Sequence, residues 1–257
     1  MTMIHGLVAI LIVCLVVAAA FVVRRMAHQS YPIDGRIVDT VRLARIARIA
    51  TCVWLAADMG VILASIGTIA VLGGFGGPMG STRALSSADT FTTVTGVAYL
   101  ITFLVAGGTI LRWIYLTIRN AHALDPSMTI TPGWAVGWFF VPIAGLWKPF
   151  DGMRQAWQAS ANPQAPDSVP IPAVLRWWWG AWVVTSIIGN IIFSLTNKAD
   201  TVDALIVANA VTVATLPVDI VLAIALTTIL RRLSQMQRDA AGGAAQARPE
   251  TVEDAVF

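Results

Sequence analysis

The sequence predicts an all-α integral membrane protein, with five transmembrane helices and a Trp- and Pro-rich re-entrant or interfacial segment. Three observations carry that expectation. Of 257 residues, 57% are hydrophobic and only 12% are charged, roughly half the charge with which a soluble domain covers its surface. Five apolar runs, 4–23, 51–72, 91–113, 177–195 and 204–230, match the about 20 residues that cross a hydrocarbon core about 30 Å thick. The basic residues, finally, sort to one side of those runs. With the amino-terminal end outside, the cytoplasmic side holds 15 of the 17 Lys and Arg residues, leaving only Arg83 and Lys198 outside. A sixth apolar stretch, 133–147, is short for a span and contains Pro142. If it crossed, the split would become 9 against 8, which abandons the bias that orients membrane proteins. It is therefore read as entering and leaving on the cytoplasmic side.

The first run, 4–23, reads as an uncleaved transmembrane anchor. Ala18, Ala19 and Ala20 offer a small-residue cleavage site, but no Lys or Arg precedes the run and Arg24 and Arg25 follow it. Residues 24–50 form a basic cytoplasmic linker with a Tyr31-Pro32-Ile33-Asp34-Gly35 turn. Asp39 or Thr40 then offers an N-cap for a helix with Arg42, Arg45 and Arg48 at three-residue spacing. Those arginines make a span-flanking collar, or an amphipathic helix on anionic lipid head groups. The four-span membrane domain is expected over 51–237. The external Gly73–Pro78 stretch superficially looks like a phosphate loop, but it follows a membrane helix and lacks the Gly-Lys-Ser/Thr ending. The tail 238–257, rich in Ala, Gly and Gln, reads as disordered.

Eight of the ten tryptophans lie between Trp134 and Trp182, as in a belt at the membrane–water interface. Thr131 and Pro132 open a helix, and Trp134 and Trp138 share one face at four-residue spacing. Pro142 and Pro149 then break the run twice. Over 150–160 an interfacial helix sets Phe150, Met153 and Trp157 opposite Asp151, Gln155 and Gln158.

The same residues carry a resemblance. Trp113–Asn120 (WIYLTIRN), Thr131–Phe150 (TPGWAVGWFFVPIAGLWKPF), Met153–Trp157 (MRQAW), Ser160 and Trp178-Trp179 resemble the signature of domain of unknown function 4328, a bacterial family of multi-pass membrane proteins. The resemblance runs from about Arg42 to Gln237 and places Trp113, Asn120, Pro132, Gly133, Trp134, Gly137, Trp138, Pro142, Trp147, Pro149, Arg154, Trp157, Trp178 and Trp179 in the signature. It implies a helical membrane fold in the bacterial cytoplasmic membrane and supplies no mechanism. The anchor 4–23 stands where members often carry a polar or Pro-rich stretch.

Polar residues align on single faces of the shared spans. Thr51, Asp58 and Ser65 recur every seven residues, and Thr95, Tyr99, Thr102 and Thr109 fit helical spacings. Ser186, Asn190 and Ser194 recur every four, and Asn209, Thr212, Thr215 and Asp219 form a ladder. Such faces turn away from lipid, though Ser, Thr and Asn also bond their own helix backbone. At about 1.5 Å per residue, Asp58 and Asp219 each lie roughly 15 Å from the cytoplasmic end of their runs, with no Lys or Arg at that depth. Intramembrane acids are functional by default, with structural, protonated acids as the alternative. The expected polar site is Asp58, Asp219, Tyr99, Asn190, Asn209, Thr212 and Thr215.

Cys14 and Cys52 build no disulfide framework or CxxC pattern, and His5, His28 and His122 are scattered. His122 and Asp125 read as a solvated loop. No metal, cofactor or nucleic-acid motif is expected, and no nucleophile–base pair can be assembled. The expectation is a non-enzymatic membrane module binding a small ligand, ion or lipid in the polar site, coupled to proton movement. The alternative is a scaffold or accessory subunit whose Trp-rich hairpin packs against a partner or lipid head groups.

Overall fold

The computed structural model describes residues 37–74 and 82–246, with side chains throughout except at 82–88 and 243–246. The expected anchor 4–23, the first part of the linker and the tail beyond 246 lie outside the described residues. Every regular element described is helical: α1 Val41–Leu72, α2 Thr82–Leu124, α3 Pro132–Gly137, α4 Lys148–Ala161, α5 Ala173–Asn197, α6 Val202–Ala214 and α7 Leu216–Gln246, with 3-10 turns at Trp138–Phe140, Ala144–Leu146 and Pro166–Ser168. Four stretches are long and apolar enough to cross a membrane: Val41–Leu72, Asp89–Leu124, Ala173–Asn197 and Val202–Gly242. They contain four of the five expected runs. Most of each apolar window is uncovered by protein, an amount of exposed hydrocarbon that lipid would have to cover.

Helix ends outrun the apolar runs. α1 starts well before residue 51, so Arg42, Arg45 and Arg48 occupy the opening turns of the first described span and do not form a separate linker. No Gly or Pro interrupts 41–59, and Ala, Leu and Arg favour helix. The Asp39 carboxylate accepts the Val41 N–H at 2.9 Å, and the Thr40 carbonyl accepts that of Ala44 at 2.8 Å. At the other end the expected tail is corrected: α7 stays helical as far as Gln246. A helix already nucleated extends cheaply, and Arg238 reaches Asp39 at 3.0 Å. The last span is broken at Thr215, because Pro217 lacks an N–H and its ring crowds the preceding turn. The Thr215 carbonyl accepts the N–H groups of both Val218 and Asp219.

The chain divides into two compact units. The described part of the first comprises 37–44, 111–171 and 231–246. Trp113, Ile114, Ile118, Met153 and Leu233 are its largest fully buried apolar side chains. Here α4 packs on the end of α2 and on the connection after it: a Cβ at Gly152 would sit 3.4 Å from Ile130 and 3.8 Å from Ile118. The Gln155 amide exchanges bonds with Thr129 at 3.0 Å each way. Residues before and after 133–147 are thus packed together within one unit. The stretch between them is no continuous helix but α3 followed by two 3-10 turns. Trp134 and Trp138 stack with ring centroids 4.6 Å apart, as their spacing predicts. Thr131 stands at the N-cap of α3 without a side-chain cap bond.

Gly145 is where the broken stretch folds on itself. A Cβ there would lie 2.9 Å from the Trp138 carbonyl oxygen, closer than real Cβ contacts come. Gly145→Ala should therefore cost about 1–3 kcal/mol by local overpacking, measured as a lowered unfolding midpoint in detergent. An unchanged midpoint would show that the turn relaxes freely.

The stripe expected on the 150–160 helix is present on α4, but protein covers it. Met153 and Trp157 are buried, and so are Gln158 and Ser160. Gln158 was expected on the polar side. Instead its amide donates to the Val169 carbonyl at 2.9 Å, because the Pro-rich loop folds back along α4 and presents an acceptor.

The described part of the second unit comprises 45–74, 82–110 and 172–230. One face of α1, Ala47, Thr51, Trp54, Asp58, Ile62 and Ser65, is buried. Gly60 lets α2 come close, since a Cβ there would stand 3.3 Å from Thr95. α5 and α6 pair as a hairpin, with the Thr201 hydroxyl accepting the Ala204 N–H at 3.2 Å to cap α6.

Candidate functional site

Asp58 projects from the buried face of α1 and is 7% exposed; Asp219, in the first turn of α7, is 3% exposed. Both lie in the second unit, within electrostatic reach of each other. The α7 break sets Asp219 at the positive end of a helix dipole, which favours a carboxylate there. Its Oδ1 also accepts the Thr185 hydroxyl at 3.2 Å. Asp58 has no such help, and its Oδ2 is buried without a hydrogen-bond partner. Tyr99, from α2, interacts electrostatically with both acids. Its ring lies 6.2 Å from Trp54 and 6.1 Å from Phe103, centroid to centroid. The Trp54 indole N–H, on the Tyr99 side, closes no hydrogen bond of normal geometry.

Two acids so placed repel each other if both are ionised, and neither has an ion-pair partner among the described residues. The arrangement can share or exchange protons, or hold a cation. Among the described residues no group of three or more His, Cys, Asp or Glu is placed to hold a metal.

The structure brings together four of the seven expected site residues, Asp58, Asp219, Tyr99 and Thr215, whose side chain is within hydrogen-bonding reach of the Asp219 carboxylate. Thr215, buried one turn before Asp219, gives its hydroxyl to the Thr212 carbonyl at 2.9 Å. Asn190, Asn209 and Thr212 also turn to their own helices. They bond Ser186, Leu205 and Ala208 carbonyls at 2.7, 2.8 and 3.0 Å respectively, and Asn190 is exposed. An amide or hydroxyl can always satisfy itself one turn back, so its stripe need not face a neighbour. Sequence reasoning missed Thr185 and Trp54. Trp54 could have been found, four residues before Asp58 on the same α1 face. Thr185 carries no periodic signal.

The signature residues mostly build the first unit. Trp113 is fully buried and donates its indole N–H to the Ser234 hydroxyl at 2.8 Å, and the Thr40 hydroxyl reaches that same oxygen at 3.1 Å. Asn120 accepts the Val38 N–H at 2.9 Å and donates to the Val38 carbonyl at 2.8 Å and to Gln237 Oε1 at 3.0 Å. The Gln237 amide in turn donates to the Thr117 carbonyl and to Ser160. Gly133 and Gly137 are buried in α3, whose first residue is Pro132; Pro149 is buried in the first turn of α4. Arg154 pairs with Asp151 and bonds Gln158. In the second unit Trp178 is buried against Trp179, with centroids 5.4 Å apart. Pro142, Trp134 and Trp147 are exposed on the broken stretch.

Several other polar groups of the first unit are held in local hydrogen bonds. His122 sits in the last turn of α2 with a ring nitrogen 2.9 Å from the Ile130 carbonyl, and Asp125 accepts the Ser127 N–H and hydroxyl. Neither is a merely solvated loop residue. The Val41 N–H first, and then the Arg238 guanidinium by hydrogen bond and charge, hold the Asp39 carboxyl below its ordinary range. A polar cleft of about 330 Å³ between Asp125, Arg154, Gln155 and Asp167 is lined largely by groups already bonded to one another.

No curated protein and no solved structure matches this chain. The sequence model of a family described as Domain of unknown function (DUF4328) matches residues 78–235, more than half of the chain. That range contains the whole quoted signature together with Tyr99, Thr185 and Asp219, while α1 and Asp58 precede it. The chain belongs to the DUF4328 family.

Proposed function

We propose that this chain is a multi-pass protein of the bacterial cytoplasmic membrane that binds a small ligand or ion in a polar site within the bilayer, coupled to proton movement. The observation that carries the reading is two buried acids, Asp58 and Asp219, on separate helices within electrostatic reach of each other and without an ion-pair partner among the described residues. The proposed topology has five spans, the amino-terminal end outside, the carboxy-terminal end cytoplasmic and 133–147 re-entrant. The packing of α4 against Ile118 and Ile130 supports it, because it keeps the residues flanking 133–147 on one side.

The test is a thermal-shift screen of the purified protein against inorganic cations, amines, lipids and pH. The wild type should respond to at least one of these. Asp58→Asn and Asp219→Asn, which keep shape and hydrogen bonding, should remain folded and both lose that response. A response kept by both variants would remove the acids from the function.

A second reading, a scaffold or accessory subunit, is favoured by the apolar surface of the broken stretch, where Ile143 is 72% and Trp147 50% exposed. Anionic lipid head groups or a partner protein would cover it. A protein that co-purifies with the wild type and is lost on Ile143→Ser with Trp147→Ser would support that role.

A further inference from the structure

We propose that Trp54, Tyr99 and Asp58 hold a water molecule in the second unit, through which the Asp58–Asp219 pair takes up and releases a proton. The inference rests on the reading of the two acids as one site and specifies its ligand. It begins from two buried groups with complementary needs. Asp58 Oδ2 lacks a donor, and the Trp54 indole N–H, beside the Tyr99 hydroxyl, closes no hydrogen bond of normal geometry. They are four residues apart on one buried face of α1, where side chains are neighbours and lean toward the preceding turn. The hydroxyl of Tyr99 adds a third polar group, on the Trp54 side and in electrostatic reach of both acids.

What could satisfy all three is constrained by chemistry. A bare metal ion would suit the carboxylate but repel the positive edge of the indole N–H. An organic ammonium would donate to the carboxylate and offer the indole nothing to bond. A water molecule accepts from the indole and donates to the carboxylate, and three polar partners are what a buried water usually has. It would also give Asp58 a proton route. The water, neutral throughout, donates one of its own protons to Oδ2 as it takes another from solvent hydronium, which becomes water; the carboxylic acid is then neutral, and release is the reverse. The titratable groups that interact with Asp58 are Asp219 from α7 and Tyr99 from α2; the uncharged Thr185 hydroxyl of α5 bonds Asp219. One proton between two acids relieves their repulsion, so the pair titrates as a unit.

The experiment is infrared difference spectroscopy between acidic and alkaline pH on the full chain in liposomes, in ordinary and in ¹⁸O water. The expected result is a protonated-carboxyl C=O band that is lost in Asp58→Asn, with a water O–H band that shifts with ¹⁸O. Trp54→Phe should keep the carboxyl band and lose the water band. Asp58→Asn tests the carboxyl independently, should Trp54→Phe not fold. A carboxyl band suppressed at constant pH by sodium against choline chloride, or by a hydrophobic amine, would overturn the proton assignment and leave the ligand site standing. A carboxyl band indifferent to pH would overturn the proposal. A water band unchanged in Trp54→Phe would overturn the bridging role of the indole.

Discussion

Asn120→Ala should be among the most destabilising single substitutions in this protein, at about 3 kcal/mol or more. The Asn120 side chain makes three hydrogen bonds, two to the Val38 backbone and one to Gln237. Alanine would strand a backbone N–H, a carbonyl and the Gln237 amide oxygen, and a buried polar group left unpaired costs about 1–3 kcal/mol. The Val38 bonds are only partly buried, so water recovers some of the loss. Gln237→Leu cuts the same network from the other side, taking one of two acceptors from Asn120 Nδ2, a donor from the Ser160 hydroxyl and the side-chain bond of the Thr117 carbonyl. Because the two residues share a bond, the double variant should cost less than the sum. Detergent denaturation midpoints of the three variants measure this. Additive losses would mean that the two residues act separately.

Labelling of single cysteines should divide all-or-none between two exposed positions. On a background lacking Cys14 and Cys52, Gln164→Cys should resist an impermeant maleimide in intact cells, and Lys198→Cys should react. The first lies in the loop after α4 and the second at the end of α5, with a single candidate span between them. Permeabilised cells should label at both, which controls for burial. Labelling of residue 164 from outside, with 198 protected, would invert the orientation. It would accord with a crossing 133–147 segment and sink the re-entrant topology.

Chain chemistry by itself determined the all-helical class and the location of the long apolar helices. A bilayer offers backbone groups no partner, so an apolar run long enough to cross it is expected to be helical; the lengths are read directly, and four of the runs lie within described helical stretches. Periodicity also identified the α1 face bearing Thr51, Asp58 and Ser65, since no self-bond can hide a carboxylate. The family was legible because its Trp-, Pro- and Gly-rich run is contiguous. Helix ends were less so: hydropathy stops at the apolar edge, whereas the backbone ladder continues through Arg42–Arg48 and through Arg238.

Tertiary structure alone decided which polar residues meet. Asn120 and Gln237 are 117 positions apart, Trp113 and Ser234 are 121 apart, and Thr185 and Asp219 are 34 apart, with no local spacing to connect them. It also decided that Asn190 and Asn209 turn back to their own helices, two outcomes that the same spacing permits equally. The physical reason is common to all of these. Burial in lipid acts on each residue along the chain and leaves a pattern in sequence, whereas a hydrogen bond between distant segments depends on a geometry that exists only once the helices have packed.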